Sequence, residues 1–430
     1  MAILKSNTVY NKMIRISAIA VTIAAALMTS AKADVAFDGT TFSGSGIYSE
    51  AVNSTSALTA TPSSGATITF TNNIVSTGNF TQTGENVVFG TGTSNSFNML
   101  YVNNGSGNGA KMTLSGSMNL TELHVANTRT TNLDITEGAT LNVSGVVYVN
   151  EAKNAQGNIT QTGGNVSFTT SGSTSVRIGH WPNTGYPSRY NISGGTLSIP
   201  NTITYVAWDG YAEMNISGGT VTLKGLSLSN SANSRGTLTL TGGTLNMGDG
   251  GVSRNKRGAS GSIEPIIQFG NGTLNATASH TWASNLNITL KDSATTTLNA
   301  DSGKTITLAS KLAGNGSIRK TGEGTLILSN ANTYTGSTTV EGGTLKLTGN
   351  GVPGTGSSVT VNGTIEYAYS DDKTIGYALE GSGNLVKSGE YALTLPSASY
   401  YSGKTTVSEG TLILQDSSNF SSSEVEVKTG

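Results

Sequence analysis

The chain has 430 residues, a formal net charge of -1, 11% charged residues, 56 glycines and no cysteine. The absence of cysteine excludes disulfide bonds, thiolate zinc sites and thiol nucleophiles. The near-neutral charge gives no electrostatic support for binding nucleic acid or an anionic membrane. Because Thr, Val, Ile and Leu alternate with small polar residues, the composition favours β-strands throughout.

Residues 1–33 have the pattern of a secretory signal peptide. A basic front precedes an apolar run of 13 residues at 16–28, whereas a membrane-spanning helix needs about 20 apolar residues. Ala31 and Ala33 provide the small residues of an A-x-A cleavage site, which leaves Asp34 as the mature amino terminus. We therefore predict an exported chain without a transmembrane span after cleavage; an uncleaved anchor is the alternative.

The next two segments differ in regularity. Residues 34–77 are irregular and rich in Ser and Thr, which predicts a cap over the open edge of a solenoid. Residues 78–311 are predicted to form the solenoid itself. Its clearest motif, Asn-Ile-Ser-Gly-Gly-Thr, begins at Asn191 and Asn215 and returns in related form at Thr239, so the period is 24 residues. A fixed period in the twenties is typical of stacked repeats.

One repeat cannot bury its apolar face alone, so the repeats must stack. Alternation places Ile192, Leu197 and Ile199 on one face of their strands, and coiling the chain gathers such residues into an internal column. The Gly-Gly pair ending at Gly195 is predicted to form a corner with positive φ. The fold predicted is all-β, a right-handed parallel β-helix. Side-chain amide ladders are expected at stacked asparagines: Asn104, Asn127 and Asn230.

Residues 312–347 and 379–414 contain two copies of a longer motif, 67 residues apart. Lys320 of the first copy matches Lys387 of the second, and Gly-Glu, Tyr-x-Gly, Thr-Thr-Val and Gly-Thr-Leu follow at matching positions. The motif closely resembles the passenger-associated transport repeat, the autotransporter-associated β-strand repeat of Gram-negative surface proteins. This resemblance implies an exported β-helical passenger, displayed at or released from the outer membrane, whose repeats assist export and folding. It also implies the outer-membrane export machinery as a partner.

Two shorter segments flank the second copy. Residues 348–378 are predicted to form a connecting rung. Residues 415–430 match the previous turn and are predicted to begin a further rung, so the chain is expected to be a truncated piece of a longer protein. Another route of surface attachment is the alternative.

Residues able to carry out chemistry are sparse and scattered. Asp371 and Asp372 form the only adjacent aspartate pair and are predicted to lie in a solvated turn rather than a catalytic site. The histidines His124, His180 and His280 form no metal-binding motif. We therefore predict no catalytic residue, cofactor or metal. The loop at 250–262 carries basic residues that are predicted to be solvated: Arg254, Lys256 and Arg257.

The richest aromatic patch is the best candidate for contact with a glycan or a protein partner, since exposed rings can stack on sugars or anchor a partner. Rings that merely cover loop backbone are the alternative. The residues predicted for this contact are His180, Trp181, Tyr186, Tyr190 and Trp208.

The function expected from these features is that of a non-enzymatic surface or secreted passenger, either a structural stalk or an adhesin-like protein. Its expected location is the cell surface, the outer membrane or the extracellular space. Surface glycans and proteins of host or neighbouring cells are the expected partners. One alternative is a carbohydrate-active β-helix enzyme, such as a polysaccharide lyase or glycoside hydrolase. A second is an inactive spacer.

Overall fold

The computed structural model describes most of the chain after residue 34. The described residues are 35–102, 109–128, 130–153, 155–173, 175–182, 185–255, 263–356, 358–396, 399–415 and 420–428. The predicted signal peptide, with Ala31, Ala33 and Asp34, lies outside them, as do Asn104, Lys256 and Arg257.

Within the described ranges the chain forms β-strands and no helix, so no helix there could cross a membrane. The prediction of an all-β parallel β-helix is confirmed, because almost every strand pairs in parallel with one a rung earlier or later. The alternating sequence is the cause: β16, β19 and β23 alternate buried with half-buried residues along their whole length.

The strands are short and follow one another along the chain. The first fifteen are β1 Ala36–Phe37, β2 Thr41–Gly44, β3 Gly46–Tyr48, β4 Val52–Ser54, β5 Leu58–Pro62, β6 Thr67–Phe70, β7 Ile74–Ser76, β8 Phe80–Gln82, β9 Asn86–Phe89, β10 Ser94–Val102, β11 Ala110–Leu114, β12 Ser117–Val125, β13 Thr131–Ile135, β14 Thr140–Val143 and β15 Val147–Val149. The next fifteen are β16 Gly157–Gln161, β17 Asn165–Phe168, β18 Val176–Ile178, β19 Ser188–Ile192, β20 Thr196–Val206, β21 Tyr211–Ile216, β22 Thr220–Leu228, β23 Arg235–Leu240, β24 Thr244–Arg254, β25 Ile266–Phe269, β26 Thr273–Ala276, β27 His280–Trp282, β28 Asn287–Leu290, β29 Thr295–Ala300 and β30 Thr305–Leu308. The remainder are β31 Lys311–Gly314, β32 Ser317–Thr321, β33 Thr325–Leu328, β34 Thr338–Val340, β35 Thr344–Thr348, β36 Ser358–Val361, β37 Thr364–Ala368, β38 Lys373–Thr374, β39 Ala378–Gly381, β40 Asn384–Leu395, β41 Tyr400–Tyr401, β42 Lys404–Leu414 and β43 Glu424–Val427.

Each rung of the coil has three faces, which the rung beginning at β19 illustrates. Face 1 is the sheet that contains β19, and it pairs β19 with β21 so that Asn191 lies beside Asn215. Strand β20 bends between Ile199 and Ile203 and supplies the other two faces. Face 2 is the stack containing 196–199, and face 3 is the stack containing 203–206. The 24-residue period is therefore one full turn.

Glycine corners join face 1 to face 2. Gly195, Gly219 and Gly243 have φ values of 73°, 68° and 64°, as expected from the Gly-Gly pairs. The carbonyl of Gly195 accepts a hydrogen bond from the Thr220 amide at 2.9 Å. A Cβ on Gly195 would lie 2.2 Å from the carbonyl oxygen of Gly164 in the preceding rung. These corners therefore need glycine both for conformation and for close stacking.

The parallel coil begins earlier than the predicted boundary at residue 78. Strands β1 and β2 pair antiparallel, but β2 already pairs in parallel with β5, and β5 with β8. Large rings fill this end of the core: the Phe42 and Phe70 ring centroids lie 4.8 Å apart, and those of Phe70 and Phe89 lie 5.0 Å apart. The irregular sequence thus forms rungs whose core is aromatic instead of aliphatic.

Asparagine ladders run along the outside of the coil, and they include the predicted Asn230, which accepts from the Asn255 amide at 3.2 Å. The Asn215 amide donates to Asn191 Oδ1 at 2.9 Å. On face 2, Asn275 donates to Asn246 at 2.8 Å and Asn299 to Asn275 at 2.7 Å. Each bond joins consecutive rungs, so the ladders tie the coil together along its axis.

The two copies of the longer motif occupy different faces of the coil. The first strand of the first copy, β32, extends face 2, since Leu298 lies beside Lys320. The matching strand of the second copy, in β40, extends face 3, since Tyr367 lies beside Lys387. Rungs here advance by only about 20 residues, as from Lys346 to Glu366. Because 67 is not a multiple of this spacing, the second copy is shifted by one face.

Candidate functional site

One outward column on face 3 brings together the aromatic and ionisable side chains of consecutive rungs. It is formed by the central residues of short strands whose flanking residues point inward. The in-register members are Tyr101, His124, Tyr148, Arg177, Tyr205 and Ser227. We call this set the face-3 column.

A left-handed corner follows the strands that contain His124, Tyr148, Tyr205 and Ser227. Ala126, Asn150, Ala207 and Ser229 have φ values of 60°, 71°, 68° and 59°, a conformation that is costly for residues other than glycine. The stacked amides hold it in place, since the Asn150 amide donates to the Val125 carbonyl at 2.8 Å. The corner turns the next residue back beside the face-3 column of the preceding rung.

The contacts across this corner follow one diagonal pattern. His124 bonds to Glu151 of the next rung. Tyr148 stacks on His180 of the next rung, with centroids 4.6 Å apart and an interplanar angle of 8°. Arg177 lies 3.9 Å above the ring of Trp208 in the rung after that. Stacked rings contribute about 0.5–1.5 kcal/mol a pair, so these contacts stabilise the coil from outside.

Five aromatic residues were predicted to form the contact patch, and three of them meet. His180 Nδ1 accepts a hydrogen bond from Arg177 Nη1 at 2.9 Å, while Trp181 meets His180 edge-on at 6.3 Å and Trp208 lies under Arg177. Tyr186 is 68% exposed and Trp181 is 49% exposed.

Tyr190 is the exception to the predicted patch. It lies inside the coil with 1% of its surface exposed, and its hydroxyl donates to Gln161 Oε1 at 2.9 Å. In β19 the residues Ser188, Tyr190 and Ile192 share the inward face. The prediction that Tyr190 contacts a ligand is therefore wrong on geometric grounds.

Tyr101, His124 and Tyr148 belong to the face-3 column but were not predicted to be part of the contact patch. Their sequence signal is the repeated segment of the form apolar-x-apolar, as in Leu-His-Val and Val-Tyr-Val. Aligning these segments would have placed the central residues in one column. The spacing between them varies, so no fixed period reveals the register.

The ionisable groups in and beside the face-3 column shift the pKa values of the two histidines there in opposite directions. Burial acts to lower the pKa of His124, but hydrogen bonds and charges from Glu151 and Glu122 outweigh it and raise that pKa above its usual 6.5. His124 Nδ1 lies 2.5 Å from Glu151 and Nε2 lies 3.1 Å from Glu122. Burial and the Arg177 charge lower the pKa of His180. His124 is therefore an ion-pair partner, and His180 is a neutral acceptor.

Because its folded-state pKa is raised, the His124 ion pair stabilises the fold fully below pH 6.5, and that stability is lost as the pH rises through the folded-state pKa. We expect His124→Gln to lower the melting temperature more at pH 5.5 than at pH 8.5. His280 is the control, since burial lowers its pKa and its neutral form is the one the fold favours. His280→Gln should therefore cost more at pH 8.5. Equal losses at both pH values for His124→Gln would contradict this assignment.

The other charged residues considered in the sequence form ion pairs or hydrogen bonds within the fold. Arg254 was predicted to be solvated, but its side chain is 2% exposed because it donates to Glu264 and to the Ile263 carbonyl. Asp371 pairs with Lys373 at 2.8 Å, and Asp372 accepts from the Ala392 amide at 2.8 Å. Among the residues the structure describes, no group of three or more His, Cys, Asp or Glu side chains is placed to hold a metal ion.

Comparison with known proteins places the two copies of the longer motif in one family. The passenger-associated-transport-repeat family matches residues 318–347 and 385–414. The chain is also 30% identical over 195 residues to the adhesin BmaC autotransporter of Brucella suis biovar 1 (strain 1330). That match covers 37% of this chain and 6% of the relative. No solved structure matches the chain. The resemblance inferred from the sequence is confirmed.

Proposed function

We propose that this chain, which carries two passenger-associated transport repeats, is the exported, non-enzymatic, adhesin-like passenger of a Gram-negative autotransporter. The match to that family in two segments is the observation that carries the proposal. The similarity to an autotransporter adhesin supports it, although this chain corresponds to only 6% of that protein. Residues 1–33 would direct the first export step and be removed after Ala33.

The repeats assist export because they let the coil grow rung by rung. Each new rung needs only the previous one as a template, since stability in a solenoid comes from neighbouring repeats. The first transport repeat continues faces 2 and 3 of the upstream coil without a break. Once one segment has folded outside the cell, later rungs can therefore add their strands to the same faces.

The adhesive contact is made by Trp181, whose ring meets His180 edge-on, and by the exposed Tyr186, five residues further along the chain. The rings of Tyr148 and His180 are occupied by stacking on each other, so they brace the site, while Trp181 and Tyr186 face solvent. Exposed aromatic side chains on a rigid support are typical anchors for protein or glycan partners.

This contact can be tested with beads coated with the purified chain and applied to cultured animal cells. Replacing Trp181 and Tyr186 together with alanine should reduce bead attachment about tenfold or more, because such anchors contribute about 2 kcal/mol or more. Tyr391, 46% exposed at another place on the coil, is the matched control, and Tyr391→Ala should leave attachment unchanged. Attachment unaffected by the double replacement would refute this contact, and beads that never attach would refute adhesion.

A further inference from the structure

A cavity of about 380 Å³ opens on face 1 between the two transport repeats. It is far along the chain from Trp181 and is independent of the contact proposed there. Its walls are the loops at 350–356 and 369–377. Ligand sites in proteins are commonly cavities of roughly 300–1,000 Å³, so this one suits one or two small rings.

The cavity arises from the shift of the second repeat by one face. Face 1 is an unbroken sheet as far as β31. After β31 it is continued by loops, with the Thr333 amide donating to the Leu312 carbonyl at 2.8 Å. Strands return to face 1 only at β38, where Lys373 lies beside Leu393 of β40. The cavity lies where loops give way to strands.

Glycines line the cavity and contribute no side chain to it. In the first repeat this face is packed by Tyr334, which is fully buried. The loop of the next rung has Gly354 there, with φ 79°, and the Tyr334 ring occupies the space that a side chain would need, since a Cβ would lie 2.7 Å from that ring. At the mouth, a Cβ on Gly376 would meet nothing within 4 Å.

The inner wall is apolar in character because its polar atoms are already used. Tyr369, Ile375 and Tyr377 line it and are 5%, 5% and 7% exposed. The Tyr369 hydroxyl donates to the Gly351 carbonyl at 2.7 Å. The Tyr377 hydroxyl lies 3.1 Å from that of Tyr367. The wall therefore offers ring and aliphatic surface rather than hydrogen bonds.

The rim is polar. Asn350, Thr355 and Thr374 are exposed and line the mouth, and the Lys373 ammonium lies there in a pair with Asp371. A pyranose ring matches both zones, since its C–H face packs on tyrosine rings while its peripheral hydroxyls reach amide and hydroxyl groups. An aromatic side chain would fill the interior but leave the rim unpaired. We propose that this cavity is a binding site for a pyranose unit of a glycan.

The test uses saturation-transfer NMR on the purified chain with methyl α-glucopyranoside, methyl β-galactopyranoside and N-acetylglucosamine, and with N-acetyltyrosinamide as the aromatic rival. We expect at least one sugar to receive saturation, strongest at its ring C–H protons. Gly376→Phe should abolish this signal by filling the mouth. Ser302→Phe, which adds the same ring at an exposed turn, should retain it.

Thr374→Ala provides a second variant that leaves the cavity open. It removes one hydroxyl from the rim and should weaken sugar binding about threefold to tenfold, the loss expected for one neutral hydrogen bond. Circular dichroism verifies that each variant is folded. The proposal is overturned if no sugar binds, if only N-acetyltyrosinamide binds, or if folded Gly376→Phe binds sugar like the wild type.

Discussion

Replacing Gly195 with alanine should destabilise the coil by about 4 kcal/mol, the sum of a left-handed backbone penalty of about 1–2 kcal/mol and an overpacking cost of up to about 3 kcal/mol. The overpacking cost arises because the new Cβ would lie 2.2 Å from the Gly164 carbonyl oxygen. Backbone cannot yield there without separating two rungs, and the hydrogen bonds between those rungs would lengthen.

Gly303 is the control for this substitution. Its φ of 75° nearly equals the 73° of Gly195, but a Cβ there would meet nothing within 4 Å. Gly303→Ala should therefore cost only the backbone penalty, about 1–2 kcal/mol. Urea unfolding followed by circular dichroism measures both. Equal shifts in the two midpoints would mean that the corner needs glycine for conformation alone and that the rungs are not tightly stacked.

Replacing Lys320 with methionine should destabilise the first transport repeat by about 3 kcal/mol. Lys320 is fully buried, and its ammonium donates to the carbonyls of Thr321, Gly322 and Gly342 at 2.8, 2.7 and 3.1 Å. Two of these carbonyls belong to its own corner and the third to the next rung. Methionine fills the space but leaves the carbonyls without a donor, at about 1–3 kcal/mol for each group left unpaired, partly offset because no charge is buried.

The matched control is Lys346 of the same repeat, which forms a surface pair with Glu366 at 2.7 Å and is 31% exposed. Surface pairs contribute about 0–1 kcal/mol, so Lys346→Met should have little effect. Lys387 repeats the buried arrangement, donating to the carbonyls of Gly389 and Glu409. Lys387→Met should resemble Lys320→Met; a Lys320→Met loss no larger than that of Lys346→Met would refute the role of the buried lysine.

The pH dependence of stability provides a second test of the role of Lys320. Burial lowers the pKa of Lys320 to about 8 from 10.5. Between these values the unfolded chain holds a proton that the folded chain has released, so this group makes stability rise with pH across that window. The stability of the wild type relative to Lys320→Met should therefore increase between pH 7.5 and pH 9.5.

The fold of the coil could be predicted because the sequence features that specify it lie within one rung. The 24-residue spacing of Asn191 and Asn215, the inward Leu197 and Ile199, and the corner at Gly195 all depend on residues within one rung. Stacking then follows from the need to bury one apolar face.

The face-3 column and the shift of the second repeat by one face depend on the register between rungs. A period in the sequence does not give that register. Val149 and Ile178, neighbours on face 3, are separated by a longer stretch of chain than Val125 and Val149. The exact match of Lys320 with Lys387 suggested equivalent positions, but shorter rungs place them on different faces. Tyr190 was misplaced because it was grouped with aromatic residues close to it in sequence, whereas the alternation of β19 turns it inward and Gln161 accepts from its hydroxyl there.

The most direct test of the central claim is protease treatment of intact cells that express the complete gene, with antibodies raised against residues 35–430. The account predicts that these antibodies label unpermeabilised cells or their medium, and that external protease removes the cell-bound label. Labelling that appears only after permeabilisation, with the chain protected from external protease, would contradict the assignment as an exported passenger.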